Sequence, residues 1–474
     1  MHTSWFVAVL ATGIVIGVIA AQYYSAFGSV SWLLVGIVLA GFAFWRRYIY
    51  LLLIVFVAGG VVGLWRGSID QQQLQPYKKM IGYHATIIGK VSEDADIGKR
   101  GELMLRLSDI RVDGHELIGS VWVSGPTKFD IKRSDIVTVQ GELSAGFGNF
   151  AASMYYAEIV KVQRPVPGDV ARQARDGFAD EARKAIPEPE ASLGIGYLVG
   201  QRRALPPELD EALKIAGLTH IVVASGYNLT ILVRLARRLF VKISRYTALA
   251  MSGGLVAGFI AITGMGPSMS RAGLIAGLSL LAWYYGRRFH PLVLLPFTAA
   301  ITLIVNPSYG WNDLGWQLSF AAFAGVMILA PLIQAYFFGD KEPGTVRQIL
   351  GETVSAQLVT LPTLVLAFGQ FSNVAIVANL LVLPLVPLAM LLTFTAGIGA
   401  LLFPAFAGVI GWPATFILEY MVGVAKYVAA LPWAQTTLEI PLFVAIIFYV
   451  LLGGGCFYMW YKTRYDLGDA SLVE

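Results

Sequence analysis

Apolar runs open the chain and return in its second half, with a different texture between them. Residues 5–21, 30–45 and 48–65 are almost uninterruptedly apolar and approach the length a helix needs to cross ~30 Å of hydrocarbon. From about Gln71 to Val166 charges appear regularly. Short segments of period two replace the long runs: ATIIGKVSE, LMLRLSDIRV, LIGSVWVSG, DIVTVQGEL and YYAEIVKV. Asp113-Gly114, Gly125-Pro126, Gly146 and Gly148 punctuate them as turns. The pattern predicts five or six strands in a small β-barrel or sandwich, and an OB-like barrel suits the length and strand number.

A polar stretch, DVARQARDGFADEARKAIPEPE, follows. Its residues Val170, Ala174, Phe178, Ala182 and Ile186 recur at spacing four. This predicts a helix, lying along the membrane interface or on the barrel surface, and Pro187 and Pro189 end it. Apolar runs then resume at 219–238, 246–264, 268–286, 291–305, 314–338, 347–369, 374–402, 405–430 and 439–461. The fold class is therefore a mostly α, polytopic membrane protein of about a dozen helices, some broken, with an inserted β-barrel. The expected domains are N-terminal helices (1–70), an OB-like β-domain (71–167), an amphipathic linker (168–191), a second helical domain (192–465) and a tail (466–474).

Composition agrees with the pattern. Of 474 residues 56% are hydrophobic and 14% charged, and the mean hydropathy is +0.65, which excludes a soluble domain of this length. Arg46 and Arg47 sit in a short turn that the positive-inside rule places in the cytoplasm, which puts the β-domain outside. The first run lacks a basic leader and reads as a retained helix. The proline-rich region from 384 to 404 leaves the side of the C-terminus open. The single cysteine, Cys456, excludes an internal disulfide, and the five histidines are scattered without metal-site spacing. No P-loop occurs. No metal, cofactor or catalytic activity is expected.

The chemistry-bearing positions lie inside apolar runs. In GLTHIVVASGYNLTILVRLARR, His220 and Ser225 stand about 140° apart on a regular helix, with no carboxylate nearby to orient an imidazole. Ser225-Gly226-Tyr227-Asn228 reads either as close helix packing or as the unwound centre of a discontinuous helix lining a cavity. Arg271 follows a helix start at Pro267-Ser268. It either snorkels to the interface or faces an anionic substrate, aided by free N–H groups at that helix end. The amides of Gln317, Gln357 and Asn379 serve as interhelical glue or line a wet conduit. Asp313 reads as an N-cap or loop residue rather than a proton relay. In the β-domain Trp122, Phe129, Phe147, Phe150, Tyr155 and Tyr156 either stack on bases or fill the barrel core. Basic residues barely exceed acidic ones there, so binding to a nucleic acid is expected to be weak and salt-sensitive.

Residues 193–240, with GLTHIVVASGYNLTIL, resemble the start of the competence domain of the ComEC family. GPSMSRAGLIAGL, NPSYGWNDLGWQLSFAAFAGV and SAQLVTLPTLVLAFGQFSNVAIVANLLVLPLVPL are similar to its later motifs, in the same order. The resemblance implies an inner-membrane channel that carries single-stranded DNA into the cytoplasm during natural transformation. His220, Ser225, Gly226, Arg271, Gln317, Gln357 and Asn379 align with the family's polar motifs. Asn228 stands where many members have histidine. Many members also carry a metallo-β-lactamase-like domain, for which this chain has no histidine cluster. A separate nuclease, a DNA receptor and a cytoplasmic motor are then the implied partners, beside membrane lipids. The competing expectations are a secondary transporter or lipid-handling protein with broken helices, and an intramembrane hydrolase using Ser225 and His220.

Overall fold

Glycine spacing shapes the N-terminal helices. The computed structural model describes residues 3–467 apart from 47, 99–100, 113, 127–128, 202–204, 223–225, 265, 287–289 and 340–342. Its contacts divide the chain into two units, Met1–Arg172 with Leu292–Trp316, and Gln173–Pro291 with Gln317–Glu474. The first unit opens with α1 (Thr3–Ala20), α2 (Val30–Arg46), α3 (Leu52–Gln73) and α4 (Gln75–Met80). Gly13 and Gly17 of α1 meet Gly59 and Gly63 of α3 backbone to backbone. A Cβ at Gly63 would collide with the Ile14 carbonyl and stand 2.8 Å from the Val18 nitrogen. Only small residues allow so close an approach within a membrane.

The alternating segments form β1 (His84–Val91), β2 (Asp96–Ile97), β3 (Leu103–Val112), β4 (His115–Leu117), β5 (Val121–Gly125), β6 (Ile136–Ala145), β7 (Ala152–Met154) and β8 (Glu158–Gln163). Five of them close a barrel. β1, β3 and β5 run as an antiparallel meander, β5 pairs with β7 in parallel, β7 pairs with β6 and β6 returns to β1. This is the Greek-key connectivity of an OB barrel, the fold expected from the strand pattern. β2 and β4 extend β3, and β8 lines the edge of β6. The barrel core is aliphatic (Ile87, Leu105, Leu107, Val121, Val139 and Leu143 among others) with Tyr77 of α4 beneath it. The suspected aromatic fill is therefore not what packs it. Alternate strand positions already supply enough branched aliphatic volume, and the larger rings are left outside.

After α5 (Val170–Ala185) the chain continues as α6 (Glu190–Val199), α7 (Pro207–Ile215), α8 (Thr219–Val222), α9 (Gly226–Phe240), α10 (Arg245–Thr263) and α11 (Pro267–Tyr284). α12 (Pro291–Val305) and α13 (Ser308–Asn312) then rejoin the first unit. There Arg66 of α3 donates to the carbonyls of Ile304 and Val305 at 2.8 and 3.2 Å, capping the negative end of α12. The remainder comprises α14 (Leu314–Ala324), α15 (Ala330–Phe338), α16 (Thr345–Phe368), β9 (Gln370–Ser372), α17 (Ala375–Val382), α18 (Val386–Leu402), α19 (Ala407–Ala429), β10 (Gln435–Thr437) and α20 (Leu442–Thr463). Between α14 and α15, Gly325–Leu329 takes wider, π-type turns. A Cβ on Gly325 would stand 2.6 Å from the Ser355 carbonyl of α16.

The linker helix α5 contributes to the helical core. Ala179, Ala182, Ala185 and Ile186 are buried in one core with α6, α18 and α19, and Gly397 and Gly411 admit Phe178 and Ala185 where any Cβ would clash. Among the described residues eight helices are long and apolar enough to cross a membrane, with α2 and α12 shorter. In the run at 219–238 the described residues form α8 and an amphipathic α9 that carries Arg234, Arg237 and Arg238. The protein is a multi-pass membrane protein.

Candidate functional site

The barrel carries one candidate surface. β5 places Trp122 in register with Arg106 of β3. The loop from β6 to β7 turns sharply because Gly146 has no Cβ, which would collide with the Phe150 carbonyl. That turn brings Phe147 to 5.5 Å from Trp122, edge-on, and Phe150 to 5.3 Å from Phe147. Tyr155, just past β7, lies 5.2 Å from Trp122 on its other side. Arg106 sits 5.9 Å from the Phe150 ring and pairs with Glu93 at 2.8 Å. Phe147 is 46% and Tyr155 47% exposed. Phe129 is exposed on the loop before β6, outside this ring cluster. The rings are tilted against one another rather than stacked, so their faces are not all consumed internally. In this topology β3 and β5 are the second and third barrel strands, and the β6–β7 loop is the one between the fourth and fifth. Those elements form the usual oligonucleotide face of OB barrels.

Asp313 stands at the start of α14, where its Oδ1 accepts the Trp316 N–H at 2.7 Å, so of its two readings it is the N-cap. Burial pushes its carboxyl up, against the opposing pull of that N–H and of Arg106.

The second candidate site is in the helical unit. Ser225 lies outside the described residues, between the end of α8 at Val222 and the start of α9 at Gly226. Asn228 is fully buried, and its Nδ2 donates to the carbonyls of Tyr197 at 3.0 Å and Ile221 at 3.4 Å. It ties α6, α8 and α9 together instead of presenting its amide to an open space. The His220 ring donates to the Gly217 carbonyl. Gly217 has φ +71°, and a Cβ there would stand 3.4 Å from the Ser372 Cβ and 2.6 Å from the Ala375 Cβ. Gln357 of α16 donates to the Ser372 carbonyl at 3.3 Å. His220 and Gln357, 137 positions apart by their numbering, are thus joined through Gly217 and Ser372. Asn379 is buried on α17, one turn beyond Ala375, and its Oδ1 has no hydrogen-bond partner among the described residues.

The Arg271 guanidinium lies 5.7 Å from the Phe320 ring and 5.5 Å from the Phe323 ring, both on α14. One Nη2 is 3.7 Å from where a Gly226 Cβ would be. Gln317 is half-buried three residues before Phe320 on the same side of α14. Ser268 and Ser319 face each other across α11 and α14 at 3.4 Å. The polar positions thus gather in two groups, Gly226–Arg271 with α14 and His220–Gln357 with β9, and Asn228 is the staple beside them. Phe320, Phe323, Gly217 and Ser372 were missed in the sequence reading. Only the three-residue spacing of Gln317, Phe320 and Phe323 hinted at a shared face.

A family model described as Competence protein matches residues 197–463. The chain belongs to the competence protein family. The ComEC-type resemblance of the motifs is thereby accounted for, and the matched span contains every helical-unit position named above, Ser225 included. The barrel aromatics lie before it. The chain is also similar to ComE operon protein 3 of Bacillus subtilis (strain 168), 27% identical over 237 residues. That stretch covers 47% of this chain and 30% of the relative, so the chain spans less than a third of that relative's length. No solved structure matches the chain. Competence family membership supports a role in DNA uptake. Among the described residues no group of three or more histidine, cysteine, aspartate or glutamate side chains is placed to hold a metal ion.

Proposed function

We propose that this protein forms the passage by which single-stranded DNA crosses the cytoplasmic membrane during natural transformation. The observation that carries the reading is the Trp122–Phe147–Phe150–Tyr155 cluster with Arg106 on the ligand face of an OB barrel, joined in one chain to a competence-family helical domain. Tilted, exposed rings bind any base by its π-face, and a modest basic complement tracks the backbone without reading sequence. The barrel, on the extracytoplasmic side, holds the strand before it enters. A phosphate chain cannot enter hydrocarbon unsolvated. The helical domain offers a guanidinium, hydroxyls and amides within apolar helices, and Asn228 ties α9 to α6 and α8. The chain conducts the strand and leaves its cleavage and its pulling to a separate nuclease, a receptor and a motor.

The test is genetic. Cells lacking the gene are expected to lose uptake of labelled single-stranded DNA into the cytoplasm, and the wild-type chain to restore it. A chain with Trp122→Ala and Phe147→Ala is expected to restore it only weakly. Normal uptake by the deletion strain would remove the proposal.

A further inference from the structure

Two loops border the aromatic face of the barrel, residues 92–95 leaving β1 and residues 146–151 between β6 and β7. Loops in these two positions, with the second and third strands, contact oligonucleotides in OB barrels. Ser92 fixes the first loop. Its N–H at 2.9 Å and its hydroxyl at 3.1 Å both donate to the Arg106 carbonyl of β3. Glu93, the next residue, therefore starts beside Arg106, and its carboxylate meets the guanidinium at 2.8 Å. Leu105 and Leu107 are buried in the core, so alternation along β3 turns Arg106 outward. The Phe150 ring of the second loop lies 5.9 Å from the same guanidinium. Glu93, Arg106 and Phe150 thus connect the two loops across the face on which Trp122 lies.

The pair is open to water, with the Arg106 and Glu93 side chains 45% and 41% exposed. Exposed ion pairs contribute little to stability, so the barrel does not depend on this one. The contact also runs through one nitrogen, Nη1 to Oε2, and lacks the two-point fork of the stronger arginine–carboxylate pairs. A phosphodiester can engage that fork with two oxygens. A strand can therefore exchange itself for the carboxylate at small cost. Asp313 is a second carboxylate on which the Arg106 charge acts. The cation at the aromatic face is offset from within the chain before any strand arrives.

We infer that Glu93 is an internal competitor for the strand: it occupies the Arg106 guanidinium until a backbone phosphate displaces it, and so loosens the hold of the barrel on single-stranded DNA. This rests on the strand-binding reading of the aromatic face and assigns the device that regulates it. The rings hold the bases, Arg106 holds one phosphate, and Glu93 returns to Arg106 as that phosphate moves on. A passage needs such a reversible grip, because a strand held too tightly at the entrance does not advance.

The experiment measures binding of a fluorescent oligothymidylate, and of its uncharged methylphosphonate analogue, to the full chain in phosphatidylcholine nanodiscs by anisotropy. Glu93→Gln is expected to tighten binding of the phosphodiester strand about threefold and to steepen the fall of log K with log salt. Glu93→Ala should do the same, and carries the test if the glutamine variant fails to fold. The analogue should show no gain. Arg106→Gln should weaken binding, and adding Glu93→Gln to it should then change nothing. That cycle separates exchange at the guanidinium from a general effect of removing one negative charge. Glu116→Gln, which removes the carboxylate paired with Arg111 on the β3–β4 hairpin, should stay within about twofold of wild type. Unchanged or weaker binding in the folded Glu93 variants, an equal gain for the analogue, a gain that persists without Arg106, or an equal gain in Glu116→Gln would each overturn the competitor. No binding by the wild-type chain or by the Glu93 variants would overturn it together with the role of the barrel. The Glu93 effect in a protein whose deletion leaves cellular uptake normal would keep the competitor and remove the passage. Trp122-dependent binding indifferent to Glu93 would do the reverse.

Discussion

Replacing Trp122 by alanine isolates the stacking contribution of the barrel. The indole is half-buried, 5.5 Å from Phe147 and 5.2 Å from Tyr155, with interplanar angles of 69° and 57°. It supports both neighbours without covering their faces. One lost base–aromatic stack is worth ~1–3 kcal/mol. Trp122 also steadies the two flanking rings, so the loss belongs in the middle of that range, ~2 kcal/mol, or roughly 30-fold in affinity. The barrel itself should survive, because Trp122 is outside the aliphatic core. Its unfolding free energy is expected to change by less than about 1 kcal/mol. The assay is anisotropy of a fluorescent oligothymidylate against the full chain in nanodiscs, with thermal unfolding as the control. Trp122→Phe keeps a ring in place and should stay within about threefold of wild type. Unchanged affinity in a folded Trp122→Ala protein would refute the reasoning, and so would an equal loss in Trp122→Phe.

Acid stability reports on Asp169. Burial pushes its carboxyl up, but Arg133 at 2.7 Å, the Arg172 N–H and Ser134 outweigh that and hold it at about 2. The unfolded value is near 4, so the stabilisation is full above about pH 4 and is lost as pH falls toward 2. About 2 kcal/mol should disappear over that window, and Asp169→Asn should flatten this part of the acid-unfolding curve. A variant with the wild-type acid profile would contradict the pairing. Asn228→Leu strands the Tyr197 and Ile221 carbonyls and should cost roughly 2–4 kcal/mol in detergent unfolding; an unchanged melting temperature would show that the amide is not a staple. Gly63→Ala forces a methyl into the Ile14 carbonyl and should cost ~1–3 kcal/mol. Gly253→Ala, with nothing within 4 Å of its Cβ position, should be neutral or slightly stabilising. Equal behaviour of the two glycine variants would rule out the close α1–α3 contact.

Much was legible along the chain because it is governed by neighbours in sequence. Period two marked the barrel strands, since alternate side chains must share one face, and the spacing of turn glycines gave their number. Apolar length marked α1, α10, α16 and α20, since backbone groups in lipid must bond within their own helix. The place of Asp313 just before α14 narrowed it to a cap or a loop residue. Other features have no local signature. Burial between helices and burial in lipid select the same residues, so the apolar stripe of α5 did not reveal that it packs on α18 and α19. The return of α12 and α13 to the first unit rests on contacts between remote segments, Arg66 with the end of α12 and Trp311 with the Val18 carbonyl.

The candidate site divides the same way. Its residue types stood out as polar atoms in oily surroundings, because hydrocarbon tolerates them only when something satisfies them. Their partners did not: that Arg271 is covered by Phe320 and Phe323, that His220 connects to Gln357 through Gly217 and Ser372, and that Asn228 is a staple all required three dimensions. The sequence by itself determined which segments must leave water and which side chains would be costly there. The tertiary structure alone decided what each of those side chains meets, because desolvation is a property of a residue and its flanks, while a hydrogen bond or a ring contact depends on distances between helices remote along the chain.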